Sequence, residues 1–151
     1  EEVTTTQVHP KLLEKQNIPN EFLKKPDFFD QRYERINDFE KLLAQKGTKI
    51  VKFYLHISKK EQKIRIQERL KNRSKNWKFS LEDIQERRHW NKYMSSYEKM
   101  LNATNTTHAP WTIIPADNKW YRDFLISKTI FDQLKNLKMS FPVLSDSNKS
   151  F

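Results

Sequence analysis

Arg65 and Arg69 stand four positions apart in a stretch that also carries Lys59, Lys63, Lys71, Arg73, Lys75 and Lys78. On a helix that spacing sets both guanidinium groups on one face, where two planar forks meet a single polyanion. Arg87 and Arg88 add charge one helix later. Guanidinium groups so placed stabilise the oxygens of a transferring phosphoryl group, and loss of one such finger lowers a rate by roughly 10³-fold or more. Two other uses fit the same pattern. Charged helix residues are ordinarily solvated or weakly paired, and Glu61 and Glu68 are at hand as partners. Basic charge interleaved with Trp77 and Phe79 also suits a nucleic acid, holding its backbone and stacking its bases.

Asp117, Asn118 and Lys119 follow the short apolar run 111–115. If that run is a strand of a parallel sheet, the three residues lie at its carboxyl end, where open α/β sheets bind ligands. Capping the next helix is an equally simple use of Asp117 or Asn118. Trp90, Tyr93 and Tyr97 recur at helical period among polar residues, which marks a core stripe rather than a stacking platform. His89 beside them has no partner motif, and the four histidines, His9, His56, His89 and His108, show no metal-binding spacing. Cysteine is absent, which removes disulfides, thiolate ligands and thiol nucleophiles together. With Gly47 as the single glycine, the chain has no phosphate loop of its own, because such loops need several glycines to let backbone N–H groups approach the phosphate.

The elements that must position these residues follow from periodicity. Phe29, Tyr33, Ile36, Phe39 and Leu43 predict a helix over 28–46, with Gly47 where a C-cap stands. Residues 50–57 are almost continuously apolar, β-branched or aromatic, as in a strand covered on both faces. Ser58 and Glu61 form an S-x-x-E capping box that opens a helix over 59–71. Ser80 repeats the cap, and Trp90, Tyr93, Met94, Tyr97, Met100 and Leu101 extend a helix over 81–102. Residues 102–110 read as turns, 111–115 as a strand, and Trp120, Phe124, Ile130, Phe131, Leu134 and Leu137 predict a helix near 118–138. Val3 to Val8, rich in β-branched residues, reads as a strand or extended lead-in. The order strand, helix, helix, strand, helix makes the class α/β with a parallel sheet, but two or three strands leave a doubly wound domain incomplete.

At 151 residues with 36% hydrophobic and 13% aromatic content, one globular unit is expected. A net charge of +10 favours a polyanionic partner: nucleic acid, anionic membrane or a phosphate-rich small molecule. No run approaches the roughly 18 apolar residues of a membrane span, and Glu1-Glu2 opens nothing like a signal peptide, so a soluble protein is expected, and the absence of cysteine fits a cytoplasmic setting. The first residue is not Met, which adds the expectation of a missing upstream part.

Several separate motifs now agree in order and spacing: Lys52 through Gln62, Arg65 and Arg69, Lys75 through Ser80, Ala109-Pro110-Trp111, and Pro115 through Trp120. Together they resemble the C-terminal half of family-2 polyphosphate kinases, with similarity from about residue 1 through Pro142. The resemblance implies a P-loop kinase-like parallel sheet flanked by helices, with a basic helical lid at about 59–102 and a polar tail at 143–151. It implies phosphoryl transfer between polyphosphate and AMP, ADP or ATP, with Mg2+ in the intact enzyme. Arg65 and Arg69 fall on lid arginines that neutralise the transferring phosphate. Lys75, Lys78, Arg87 and Arg88 fall on the polyphosphate side of the lid, and Asp117 and Lys119 on the nucleotide side. Glu1-Glu2-Val3 and Val8-His9 resemble the stretch after Walker B in the branch that accepts both AMP and ADP, which would bring Glu1 or Glu2 toward the magnesium. The departure is that Walker A and Walker B segments are absent. The expectation is therefore an active parent, a nearly inactive portion that holds no cofactor firmly, and an open sheet edge that self-associates or pairs with the missing N-terminal half. The competing expectation is a non-catalytic basic module that binds nucleic acid.

Overall fold

The computed structural model describes residues 2–143. Its sheet has two parallel strands among those residues, β1 (Lys52–His56) and β2 (Trp111–Pro115), in register from Lys52 opposite Trp111 to His56 opposite Pro115. Parallel neighbours need a long crossover. Here it comprises α4 (Lys59–Lys71), a 3₁₀ turn (Arg73–Lys78), α5 (Leu81–Glu86), a second 3₁₀ turn (Arg87–His89) and α6 (Trp90–Thr104). Ahead of β1 lie α1 (Glu2–Val8), a 3₁₀ stretch (Pro10–Gln16), α2 (Asn20–Leu23) and α3 (Phe28–Gln45); α7 (Lys119–Asn136) follows β2. The chain is α/β and mostly helical.

Helix α3 ends as its sequence predicts. Gly47 adopts φ +89, and the Gly47 and Thr48 N–H groups donate to the Ala44 and Leu43 carbonyls, satisfying acceptors the last turn leaves open. Both α4 and the two strands match their expected spans closely. Lys52 turns its ammonium inward at 9% exposure, donating to Glu40 Oε2 at 2.7 Å and to the Thr104 carbonyl at 2.7 Å, over the Trp111 ring. One buried charge thus joins α3, β1 and the C-terminal end of α6.

Three expectations are corrected. Residues 2–8 form a helix rather than a strand, because Val3, Thr4, Thr6 and Val8 are all buried where α1 packs on α6 and α3. Thr6 Oγ1 bonds back to the Glu2 and Val3 carbonyls, and the Ser96 hydroxyl donates to the Thr4 carbonyl at 3.3 Å, so tertiary contacts override β-branched propensity. The helix over 81–102 is broken at Arg87–His89, and beside the break the Glu86 carboxylate accepts from both His9 Nε2 and Tyr93 Oη at 2.8 Å. Strand β1 is not covered on both faces: Leu55 is 45% exposed on one face, and Ile113 of β2 is 60% exposed on the other.

Candidate functional site

The carboxyl ends of β1 and β2 open onto the start of α4 and the turn before α7. Ser58 caps α4, its hydroxyl accepting from the Glu61 N–H at 3.1 Å. The reciprocal half of the capping box is absent, because both groups have other partners. The Ser58 N–H donates to Asp117 Oδ1 at 2.7 Å, and the Glu61 carboxylate accepts from Arg65 Nε at 2.9 Å. Arg65 Nη2 then reaches the Ala116 carbonyl at 2.5 Å and the Asp117 carbonyl at 3.1 Å. The Ala116 N–H donates to the His56 carbonyl at 2.8 Å, extending the sheet bonding to the base of this turn. Asn118, not Asp117, caps α7 by accepting from the Tyr121 N–H at 3.0 Å.

The arginines four apart have different surroundings. Arg65 is 18% exposed and bonded through both Nε and Nη2 of its guanidinium, whereas Arg69 is 37% exposed and meets only Asp83 of α5 among its recorded contacts, at 3.1 Å. Arg87 donates to the Lys59 carbonyl at 3.0 Å and to Gln62 Oε1, tying the end of α5 to the start of α4. Lys119 sits 3.5 Å from Glu68, a second link from α7 to α4. Lys75, Lys78 and Arg88 are exposed, and the Lys78 ammonium lies 4.8 Å from the centroid of Trp77, itself 78% exposed. Both acids that sequence reasoning named as partners, Glu61 and Glu68, are engaged. Asp83 and the His9–Glu86 pair were missed; their partners are far away along the chain, and only the first-turn position of Asp83 hinted at a role.

Hydrogen bonds govern the two shifted acids of this region. The Ser58 backbone N–H, followed by its hydroxyl, holds the Asp117 carboxyl below the usual aspartate range, with Arg65 and His56 adding weaker attraction. The His9 hydrogen bond does the same for Glu86, against a smaller opposing effect of burial. The donors do not suit a divalent cation: no group of three His, Asp or Glu side chains converges among the described residues. Glu2 accepts instead from Arg32 and from Gln16, the latter at 2.6 Å, and Glu1 lies outside the described residues.

The sequence and the fold have counterparts in known proteins. The family model described as polyphosphate kinase 2 (PPK2) matches residues 20–142. The chain belongs to the polyphosphate kinase 2 family. Within it, an AMP/ADP-polyphosphate phosphotransferase of Meiothermus ruber is 46% identical over 76% of this chain and 43% of its own length. An ADP-polyphosphate phosphotransferase of Rhodopseudomonas palustris is 42% identical over 94% of this chain and 49% of its own. An uncharacterized protein in the chlN 3' region of Leptolyngbya boryana is 43% identical, and 90% of its length is covered. The crystal structure of polyphosphate kinase 2 from Arthrobacter aurescens TC1 superposes with a TM-score of 0.80 at 36% identity, over 93% of this chain and 45% of that one. The chain therefore spans about half the length of the named phosphotransferases that it matches. No helix among the described residues is long and apolar enough to cross a membrane.

Proposed function

We propose that residues 1–142 correspond to the C-terminal part of a polyphosphate:nucleotide phosphotransferase, moving phosphoryl groups between polyphosphate and AMP or ADP. The observation that carries this reading is the meeting of basic α4 with the Asp117–Lys119 turn at the carboxyl ends of two parallel strands. In this reading residues 59–102 are a lid of the P-loop kinase type and the setting is cytoplasmic; the tail expected at 143–151 lies, from residue 144 on, outside the described residues. Arg69, Lys75, Lys78, Arg87 and Arg88 form the polyphosphate side, while Asp117 and Lys119 face the nucleotide. Of the two arginines the resemblance assigns to the phosphate, Arg69 is the one proposed for contact.

By itself the chain transfers phosphate poorly, because a sequence with one glycine has no loop to fix the phosphates, and positioning supplies much of the barrier reduction. Mg2+ is proposed for the intact enzyme only, with Glu1 or Glu2 toward it; the recorded contacts of Glu2, to Arg32 and Gln16, use Oε1 alone. The sheet edges and bare apolar faces are proposed to meet either the remaining half of the enzyme or a second copy.

Calorimetry at near-physiological salt tests the reading, with polyphosphate and duplex DNA as competing polyanions and an Arg69→Ala/Lys75→Ala/Lys78→Ala variant. Preference for polyphosphate, lost in the variant, is the expected result. Equal or tighter binding of DNA would instead favour a nucleic-acid-binding module, for which exposed Trp77 beside Lys78 is the supporting feature.

A further inference from the structure

Ser58, Glu61, Arg65 and Asp117 close a ring of hydrogen bonds. The Glu61 N–H donates to the Ser58 hydroxyl, the Ser58 N–H to Asp117 Oδ1, and Arg65 to both the Asp117 carbonyl and the Glu61 carboxylate. A further bond from Arg65 to the Ala116 carbonyl anchors the ring on the end of β2. Of the five N–H donors in the fixed plane of a guanidinium, the three on Nε and Nη2 of Arg65 thus go to protein oxygens, which fixes its direction and reduces its capacity for a ligand. Arg65 and Glu61 are also the less exposed pair, at 18% and 22%, against 37% and 43% for Arg69 and Asp83.

We propose that Arg65 is a positioning residue, which locks the Ala116–Asp117 turn to the first turns of α4, and that Arg69 meets the polyanion after exchanging Asp83 for it. The pattern of contacts dictates this division. Arg65 bonds two main-chain carbonyls on an element 51 and 52 positions away, and a bound phosphate could not replace those bonds without freeing the turn. Arg69 has one half-exposed carboxylate partner on α5, an anion that a polyphosphate oxygen can displace at small cost. Asp83 is thus a built-in counter-ion that holds the arginine in place while no polyanion is bound. The inference rests on the phosphotransferase reading for the name of the ligand; the ring itself does not depend on it.

The test combines polyphosphate titration with amide exchange at Ser58. Arg65→Lys should leave the polyphosphate dissociation constant within about twofold and its salt slope unchanged, whereas Arg69→Gln weakens binding about tenfold and lowers the slope. Asp83→Asn should tighten binding by about two- to fivefold, because the competing anion is gone. Exchange at the Ser58 amide should accelerate in Arg65→Lys and in Asp117→Ala but not in Asp117→Asn, which keeps the Oδ1 acceptor. Asp117→Ala breaks the ring without removing a cation, so it reads the ring even if Arg65→Lys folds poorly. Equal losses of affinity in Arg65→Lys and Arg69→Gln would overturn the division of roles, and Ser58 exchange indifferent to both Arg65→Lys and Asp117→Ala would overturn the ring. If the parent chain prefers duplex DNA, the phosphotransferase reading fails. The same comparison of the two arginines is then read with DNA, and Ser58 exchange still decides the ring.

Discussion

Lys52 brings its ammonium into the interior at 9% exposure, where Glu40, 13% exposed, is its only carboxylate among the recorded contacts. Removing one partner of such a pair strands the other, which ordinarily costs about 3–5 kcal/mol, while replacing both with apolar groups is often near neutral. Glu40→Ala is therefore expected to destabilise the chain by about that amount in denaturant melts, with Lys52→Met/Glu40→Leu much closer to the parent. Asp117 sets a pH dependence at the same scale. Its folded pKa is depressed by the Ser58 N–H, so its contribution is complete above the unfolded pKa and is lost as pH falls through the lower, folded value. Ser58 amide protection should then collapse on the acid side of the usual aspartate range, and Asp117→Asn should remove that step from the profile. Amide exchange measured against pH checks both. Glu86 has the same sign, with His9 as the main cause.

Caps decide the elements that frame the site. Ser58 and Asn118 each satisfy an N–H that their helix leaves open, so Ser58→Ala and Asn118→Ala are each expected to lower stability by about 0.5–2 kcal/mol, read from thermal or denaturant unfolding. These local signals were visible in the residues, and so α4, β1, β2 and α7 were legible. Helix α1 was not, because a run of Val and Thr prefers a strand in isolation, and only burial against Ser96 and the rest of α6 reverses that preference. The break at Arg87–His89 was likewise hidden, since an apolar stripe at helical period continues across a short change of helical type.

The whole molecule leaves apolar surface uncovered on both sides of its small sheet, at Leu55 and Ile113, and along α7 at Trp120, Phe124 and Phe131. Surface of this extent ordinarily marks a contact with another polypeptide. Concentration-dependent association is accordingly expected in gel filtration or sedimentation, and a compact monomer unchanged on dilution would sink the expectation. A net charge of +10, with much of its positive side on α4 and the 3₁₀ turn Arg73–Lys78, adds a second bulk property. Polyanion affinity should fall steeply as salt rises from about 50 to 200 mM, in a titration series at each salt.

Sequence by itself determined what is local or cumulative: the caps, the strand and helix periods, the lack of a glycine-rich loop, the positive charge and the family resemblance, each readable because it depends on neighbours within a few positions or on a sum over the chain. The Arg65–Arg69 spacing belongs to that class, and it placed both groups on one helix. Their partners do not. Arg65 is bound to a turn some fifty residues on, Arg69 to Asp83 across the 3₁₀ turn, and Asp117 to the backbone of Ser58 rather than to its own helix. The parallel pairing of β1 with β2 brings the Arg65 and Asp117 groups to their partners, and the fold of the crossover on itself brings Arg69 to Asp83, because a hydrogen bond is decided by ångströms between atoms and not by separation along the chain.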